Sequence, residues 1–419
     1  MKRPITFTAL ASVVLITACS TGGSSGGGKA VLDFWNGHTA SDGEVMKEII
    51  KRYNETNEDN IEIKVDIMPW DTFFQKLPPA IATDTAPALV DFGTGRIAEY
   101  VKSGSIMSLD DFWSETGLNE SDYDPNVLEL GKYDGKYYML PLQYNGIYLY
   151  WNKTLFKEAG LDPEKPPETW EQLAEYAVKL TDPSKNQYGL GLPIKTAPQY
   201  FVPLIWSNGG EVADVEEKKS LLNSPEVIAS MAMLQDLAVN KQVTPKAATG
   251  PDLDNLMTSG QIAMYINGPW LVSGLRDGGI DFGITAPPAG TVTQANMIAG
   301  TYFALPSSTS ESDKKAAYKF IKHWMSAEIT KEWSMRNGFP PFHKDAIEDP
   351  EVKADPVLSS ISAPSKVSKA LLPGYAGAAN INSDALWPMI EELFIGGATP
   401  EDAVRKASDK IDEILRTVE

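Results

Sequence analysis

The 419-residue chain is poor in the side chains that most metal and redox chemistry requires: it has one cysteine and three histidines. A single cysteine allows neither an intrachain disulfide nor a cysteine metal cluster. His38, His323 and His343 are far apart in sequence and supply little for a metal site or for histidine-based catalysis. Basic residues are also short, 37 against 56 acidic ones for a formal charge of −19. That balance provides no electrostatic footprint for nucleic acid or an anionic lipid surface. No G-x-S-x-G elbow, H-E-x-x-H, phosphate-binding loop or dinucleotide fingerprint occurs. Neither a metal nor a cofactor is therefore expected. Adjacent acids such as Asp110-Asp111 and Glu391-Glu392 read as solvated surface, not as a glycosidase acid/base pair. No repeat of solenoid period and no long apolar span is present. The length exceeds what one hydrophobic core usually serves, so two lobes are expected.

The position of the one cysteine is informative. Met1-Lys2-Arg3 is followed by an apolar stretch from Ile5 to Ile16, too short to span a bilayer comfortably, then Thr17-Ala18-Cys19. This is the pattern of an export signal over residues 1–18. Leu15-Ile16-Thr17-Ala18-Cys19 is similar to a bacterial lipobox, which implies that Cys19 becomes the lipid-bearing first residue of the mature chain. The Gly/Ser-rich tract that follows cannot bury apolar area, so residues 19–29 read as a flexible tether. Loss of Lys2 and Arg3 makes the body still more acidic, leaving membrane attachment to the lipid alone.

From Ala30 the pattern alternates between strands and helices. Ile61, Ile63, Val65 and Ile67 alternate with polar residues as in a half-buried strand. Met46, Ile49, Ile50 and Tyr53 lie on one helical face, with Ser41 and Glu44 placed as a capping box. Val31–Trp35 and Ala88–Phe92 read as further strands, and the order suggests a parallel sheet covered on both faces. The same grammar restarts with Ile147–Trp151, a Thr169/Gln172 cap, Ser224-Pro225 and Thr399-Pro400 helix starts, and strands at Gln261–Asn267 and Ile280–Thr285.

Against this background the ten tryptophans and sixteen tyrosines stand out. Trp324 and Trp170 fall on helical positions that read as core. Trp35, Trp206, Trp270 and Trp387 instead border polar or Gly-rich segments: Asn36-Gly37-His38-Thr39, Ser207-Asn-Gly-Gly210, Asn267-Gly268-Pro269 and Asn380–Asp384. An aromatic plane beside small residues and amides suits a sugar, whose C–H faces stack while hydroxyls find polar partners.

Met264-Tyr-Ile-Asn-Gly-Pro-Trp270, with Ile280-Asp-Phe-Gly-Ile-Thr-Ala-Pro287, resembles the family 1 extracellular solute-binding proteins of ABC sugar importers. Ala80–Pro87, Tyr100–Gly104, Leu140–Asn145, Leu149–Lys153, Thr169–Leu173 and Pro203–Gly210 extend the resemblance over nearly the whole mature chain. It implies an α/β fold of two lobes, type II and maltodextrin-binding-protein-like, with crossings near Pro141–Asn145 and Ala299–Leu305. The implied lobes are residues 30–142 plus 303–342 and residues 143–302 plus 343–419. It also implies a monomeric, non-enzymatic receptor that closes on an oligosaccharide and delivers it to ABC permease subunits, with no nucleic acid partner. Position by position, His38 and Thr39, Arg96, Tyr144 and Asn145, Gln199 and Tyr200, Gly300, Trp270 and Trp387 become candidate ligand contacts. Trp35, Trp206 and Tyr302 join them from position alone. Phe92 and Gly95 stand where the maltodextrin protein has a tryptophan and an aspartate, which argues against maltose itself. Alternatives are a charged solute such as a glycerophosphate, for which Arg96 and Lys195 are the basic candidates, a secreted glycan-cleaving enzyme, and a surface adhesin.

Overall fold

A computed structural model describes residues 29–194, 198–361 and 367–418. The export signal, Cys19, nearly all of the tether and Lys195 lie outside them. Strand β1 (Ala30–Asn36), helix α1 (Ser41–Thr56), β2 (Ile61–Ile67), α2 (Trp70–Ala82) and β3 (Leu89–Gly93) follow in the alternating order that the sequence periodicity sets up. β1 pairs in parallel with β2 along its length and with β3 at Phe34 and Trp35. Strand β4 (Leu140–Asn145) carries the chain out of this sheet, and β5 (Tyr148–Asn152) opens the next. Helix α3 (Gly250–Thr258), β6 (Met264–Asn267), α4 (Val272–Asp277) and β7 (Phe282–Thr285) build the second sheet and its cover. Strand β8 (Ala299–Ala304) returns to the first sheet ahead of helices α5 (Glu311–Trp324) and α6 (Ala327–Asn337).

The expectation of parallel sheets holds only for β1 to β3. The first sheet is ordered β2-β1-β3-β8-β4, and β8 runs antiparallel to both its neighbours. A strand that brings the chain back must oppose the one that took it out, which sets the direction of β8 against β4. In the second sheet β5 lies between β6 and β7 and is antiparallel to each.

Each lobe has its own core. In the N-terminal lobe Phe34, Phe303, Trp324 and Trp333 form a chain of ring contacts at 5.6, 5.9 and 5.1 Å. Trp324 is buried and donates its indole N–H to the Leu142 carbonyl at 3.0 Å. In the C-terminal lobe buried Trp170 donates to Ser207 Oγ at 3.0 Å. Burial of each such ring contributes about 1.5–3 kcal/mol. Thr169, Ser224 and Thr399 cap their helices through side-chain oxygens.

Ser41 departs from expectation. The residue before it, Ala40, occupies the cap position of α1 without a side-chain bond, and the Ser41 hydroxyl instead accepts from Ser273 Oγ of α4 at 2.8 Å. A hydroxyl expected to cap a helix therefore links the lobes. The lobes also meet where the helix Ala378–Ile381 rests on Thr94–Arg96, and where Trp270 packs against both cores. Among the described residues no helix is long and apolar enough to cross a membrane.

Candidate functional site between the lobes

The N-terminal rim is built on the loop that ends β1. Gly37 has no room for a side chain, since a Cβ there would lie 2.0–2.4 Å from three atoms of the Trp70 ring. Trp70 thus sits directly over the loop backbone. One turn along α2, Phe74 stacks on it at 5.7 Å with 21° between the planes, and the Arg96 guanidinium lies 3.9 Å from the Phe74 ring centre. Arg96 also pairs with Glu99 at 3.0 Å, so its charge is already answered.

His38 is not the open hydrogen-bonding residue that its position suggested. It is 5% exposed, with Nδ1 3.1 Å from Asp42 and Nε2 2.7 Å from Asp91. Burial works against its charge, but the Asp91 charge and the hydrogen bonds to both carboxylates prevail and push its pKa up to about 10. Its ring is edge-on to Trp70 and Trp333, and Thr301 Oγ1 lies 3.5 Å from Nε2. His38 holds the floor under Trp70, while its neighbour Thr39 is exposed.

At the crossings, Asn145 is buried at the end of β4 and faces Ala299 of β8, beside the Gly300–Tyr144 pair. Gly300 serves packing, because a Cβ there would meet the Tyr302 ring at 2.5 Å. Tyr144 alternates to the opposite side of β4 from Asn145 and lines a cavity of about 440 Å3 bounded by Asp124, Tyr148, Ile298, Pro340 and Pro341.

The C-terminal rim repeats the pairing of glycine and tryptophan. A Cβ on Gly268 would fall 2.0–2.5 Å from the Trp270 ring, so Trp270 lies over that backbone as Trp70 does over Gly37. Below it, Asn267 accepts from the Gly268 N–H at 2.9 Å and from the Tyr200 hydroxyl at 3.2 Å, and donates to Asp254 Oδ1 at 2.7 Å. Tyr200 stacks on Tyr265 at 5.9 Å with planes 10° apart, and Gln199 beside it is half-buried.

Two positions named from sequence are wall, and a third, Trp35, is half-buried. Tyr302 has no exposure and donates its hydroxyl to the Val127 carbonyl at 2.7 Å, inside the N-terminal core. Trp206 is 5% exposed and donates to Glu211 at 2.7 Å. Trp35 lies within β1, with Lys76 6.0 Å from its ring centre, not on the loop that follows. Trp387 opens the helix Trp387–Phe394 half-buried, its indole N–H without a partner among the described residues. Phe92 is fully buried against Tyr100 at 4.7 Å and offers no stacking surface. Sequence reasoning missed Trp70, Phe74, Asn267 and Asp254. The signal for Trp70 was present, an aromatic after Pro69 at the end of a strand. Nothing in the sequence singles out Asp254 among 56 acidic residues. Among the described residues no cluster of His, Cys, Asp or Glu is arranged to hold a metal ion.

Two α/β lobes with separate cores, exchanged through crossing strands and meeting over glycine-seated tryptophans and amides, define a two-lobed solute-binding receptor of type II. Solved structures share the fold. A solute-binding protein of Thermotoga lettingae bound with α-D-tagatose superposes with a TM-score of 0.83 at 24% identity, covering 92% of this chain and 100% of that one. The GacH receptor of Streptomyces glaucescens, solved unliganded and with acarbose, gives 0.82 at 21% identity over 93% and 100%. The chain belongs to the bacterial extracellular solute-binding protein family, whose model matches residues 48–359. A maltotriose-binding protein of Pyrococcus abyssi is 26% identical over 80% of this chain and 70% of its own length. An sn-glycerol-3-phosphate-binding periplasmic protein of Shigella dysenteriae is 24% identical over 93% of each. Family membership makes the chain an extracytoplasmic solute-binding protein of an ABC importer.

Proposed function

We propose that this receptor captures a neutral oligosaccharide by closure of its lobes and delivers it to the permease without chemical change, held to the cell membrane by a lipid on Cys19. The observation that carries the reading is that each lobe presents one half-exposed tryptophan over a glycine, Trp70 over Gly37 and Trp270 over Gly268, beside amide and hydroxyl groups. Such surfaces match the apolar faces and hydroxyl edges of a sugar. Trp387, Gln199, Asn145 and Thr39 are proposed as further contacts. Ligand that touches both rims stabilises the closed form by its differential affinity, and this is the state a permease distinguishes. The relatives that carry sugar in their names agree with it.

A charged-solute reading has one observation in its favour, the glycerol-phosphate-binding relative. The rim weighs against it: phosphate capture needs converging free cations, whereas Arg96 is paired with Glu99 and His38 is enclosed by two aspartates. A tryptophan-fluorescence screen of mono-, di- and oligosaccharides alongside phosphate esters tests the function. A saturable response to at least one neutral sugar is expected, and a response confined to phosphate esters would replace the reading. Loss of membrane attachment in Cys19→Ala tests the anchor.

A further inference from the structure

The C-terminal rim contains a carboxylate that the sugar reading does not require. Asp254 of α3 is half-buried, and Asn267 fixes one of its oxygens, Oδ1, at 2.7 Å. The Tyr265 hydroxyl also acts on the carboxyl. Asn267 is in turn held by Tyr200 and by the N–H of Gly268, the residue under Trp270. The carboxyl is thus tied by one side chain to the platform of the site. Across the Ser41–Ser273 contact the opposite lobe brings Asp42, next to Ser41 on α1, to the helix α4 that packs against α3. Asp42 is itself fixed, by His38 at 3.1 Å and by its own contact with the Gly43 N–H at 2.9 Å.

We propose that Asp254 is a specificity-determining residue of this site: its carboxylate, tied through Asn267 to the loop under Trp270, excludes anionic solutes while admitting neutral ones. The inference rests on the sugar-binding reading above and extends it to the class of ligand refused. Among the described residues no cation pairs with the Asp254 carboxylate. Arg276, on the helix α4 that packs against α3, is bound to Asp355 at 2.8 Å and to the Met335 carbonyl. Asp277 of the same helix is acidic. His38 is shared between Asp42 and Asp91. Tyr265 and Tyr200 are uncharged phenols stacked beside the site. Burial, opposed by Asn267 and Tyr265 and reinforced by Asp42, raises the Asp254 pKa to about 7, so at pH 8 it carries its charge. An anion brought into a cleft of low effective dielectric then meets this fixed negative group, and removing it relieves about tenfold in affinity.

The test is a selectivity ratio measured at pH 8 by calorimetric titration of the mature protein. The neutral probes are maltotriose, maltose, ribitol and D-tagatose; the anionic probe is sn-glycerol 3-phosphate. Asp254→Asn keeps an acceptor for Asn267 without the charge, and Asp254→Glu keeps the charge. We expect Asp254→Asn to lower the ratio of the anionic Kd to the best neutral Kd about tenfold, and Asp254→Glu to retain the wild-type ratio. Both ligands are compared on the same protein, so a general loss of stability cancels. A neutral probe that binds wild type with a ratio unchanged in Asp254→Asn overturns this inference and leaves the sugar reading standing. Wild-type binding of sn-glycerol 3-phosphate with no neutral probe bound overturns the sugar reading and this inference with it.

Discussion

Replacing Gly268 with alanine isolates the contribution of the Trp270 platform. The backbone there has φ −89° and ψ 176°, a conformation any residue adopts, so alanine introduces no backbone strain. Its methyl group, however, would sit 2.0–2.5 Å from three ring atoms of Trp270, far inside the roughly 3.5–4.0 Å at which carbons rest. The ring has to leave its seat. The hydrogen bonds that hold the loop, Gly268 N–H to Asn267 and Tyr150 hydroxyl to the Gly268 carbonyl at 2.9 Å each, can persist. Loss of one aromatic stacking surface is worth about 1–3 kcal/mol, or roughly 5- to 150-fold in Kd. Because Trp270 is already half-exposed, the thermal midpoint should move by only a few degrees. Calorimetric titration with the best saccharide, paired with thermal unfolding, measures both quantities. A Gly268→Ala protein that folds normally and binds within twofold of wild type would refute the assignment of Trp270 as a ligand platform.

Three further outcomes follow from the same geometry. Ser273→Ala removes the 2.8 Å bond to Ser41 that links the lobes, and should weaken ligand affinity two- to tenfold, the effect of about 0.5–1.5 kcal/mol for one hydrogen bond; unchanged affinity would show that the contact does not favour closure. Tyr302→Phe should cost about 1 kcal/mol of stability through its lost bond to Val127 and leave affinity untouched, so a large drop in binding would return Tyr302 to the site. His38 has a folded pKa near 10, above its ordinary value of 6.5, so its stabilising charge is fully present below pH 6.5 and is lost as pH rises toward 10. Thermal midpoints should fall across that range in wild type and fall less in His38→Gln; parallel curves would contradict the buried ion cluster.

What the sequence made legible follows the physics of each feature. Periodicity located the elements because burial of one face is local: Ile61 to Ile67 alternate as β2 does, and Trp324 and Trp170 are core as their helical spacing implied. Strand direction was not local. The antiparallel run of β8 follows from the chain leaving and re-entering a lobe, which no pattern of apolar residues records. The seating of Trp270 on Gly268 was readable because the small residue and the ring are near neighbours in sequence. Gly37 and Trp70 make the same pairing across a helix and a strand, and so Trp70 was missed. His38 was named by resemblance, and Tyr302 and Trp206 by position alone; neither records that each has a polar atom bonded inside the protein, to Asp91, Val127 and Glu211. Ser41 shows the converse, a local capping signal overridden by a contact from the other lobe.

The central claim, a receptor for a neutral sugar, is tested most directly by titrating the mature protein with the saccharide that gives the largest fluorescence response and, in parallel, with sn-glycerol 3-phosphate. The account predicts one-to-one binding of the saccharide with a Kd of about 1 µM or tighter, in the range expected for a dedicated small-ligand cleft, and much weaker binding of the phosphate ester. Saturable binding of sn-glycerol 3-phosphate with no heat from any neutral saccharide would contradict it.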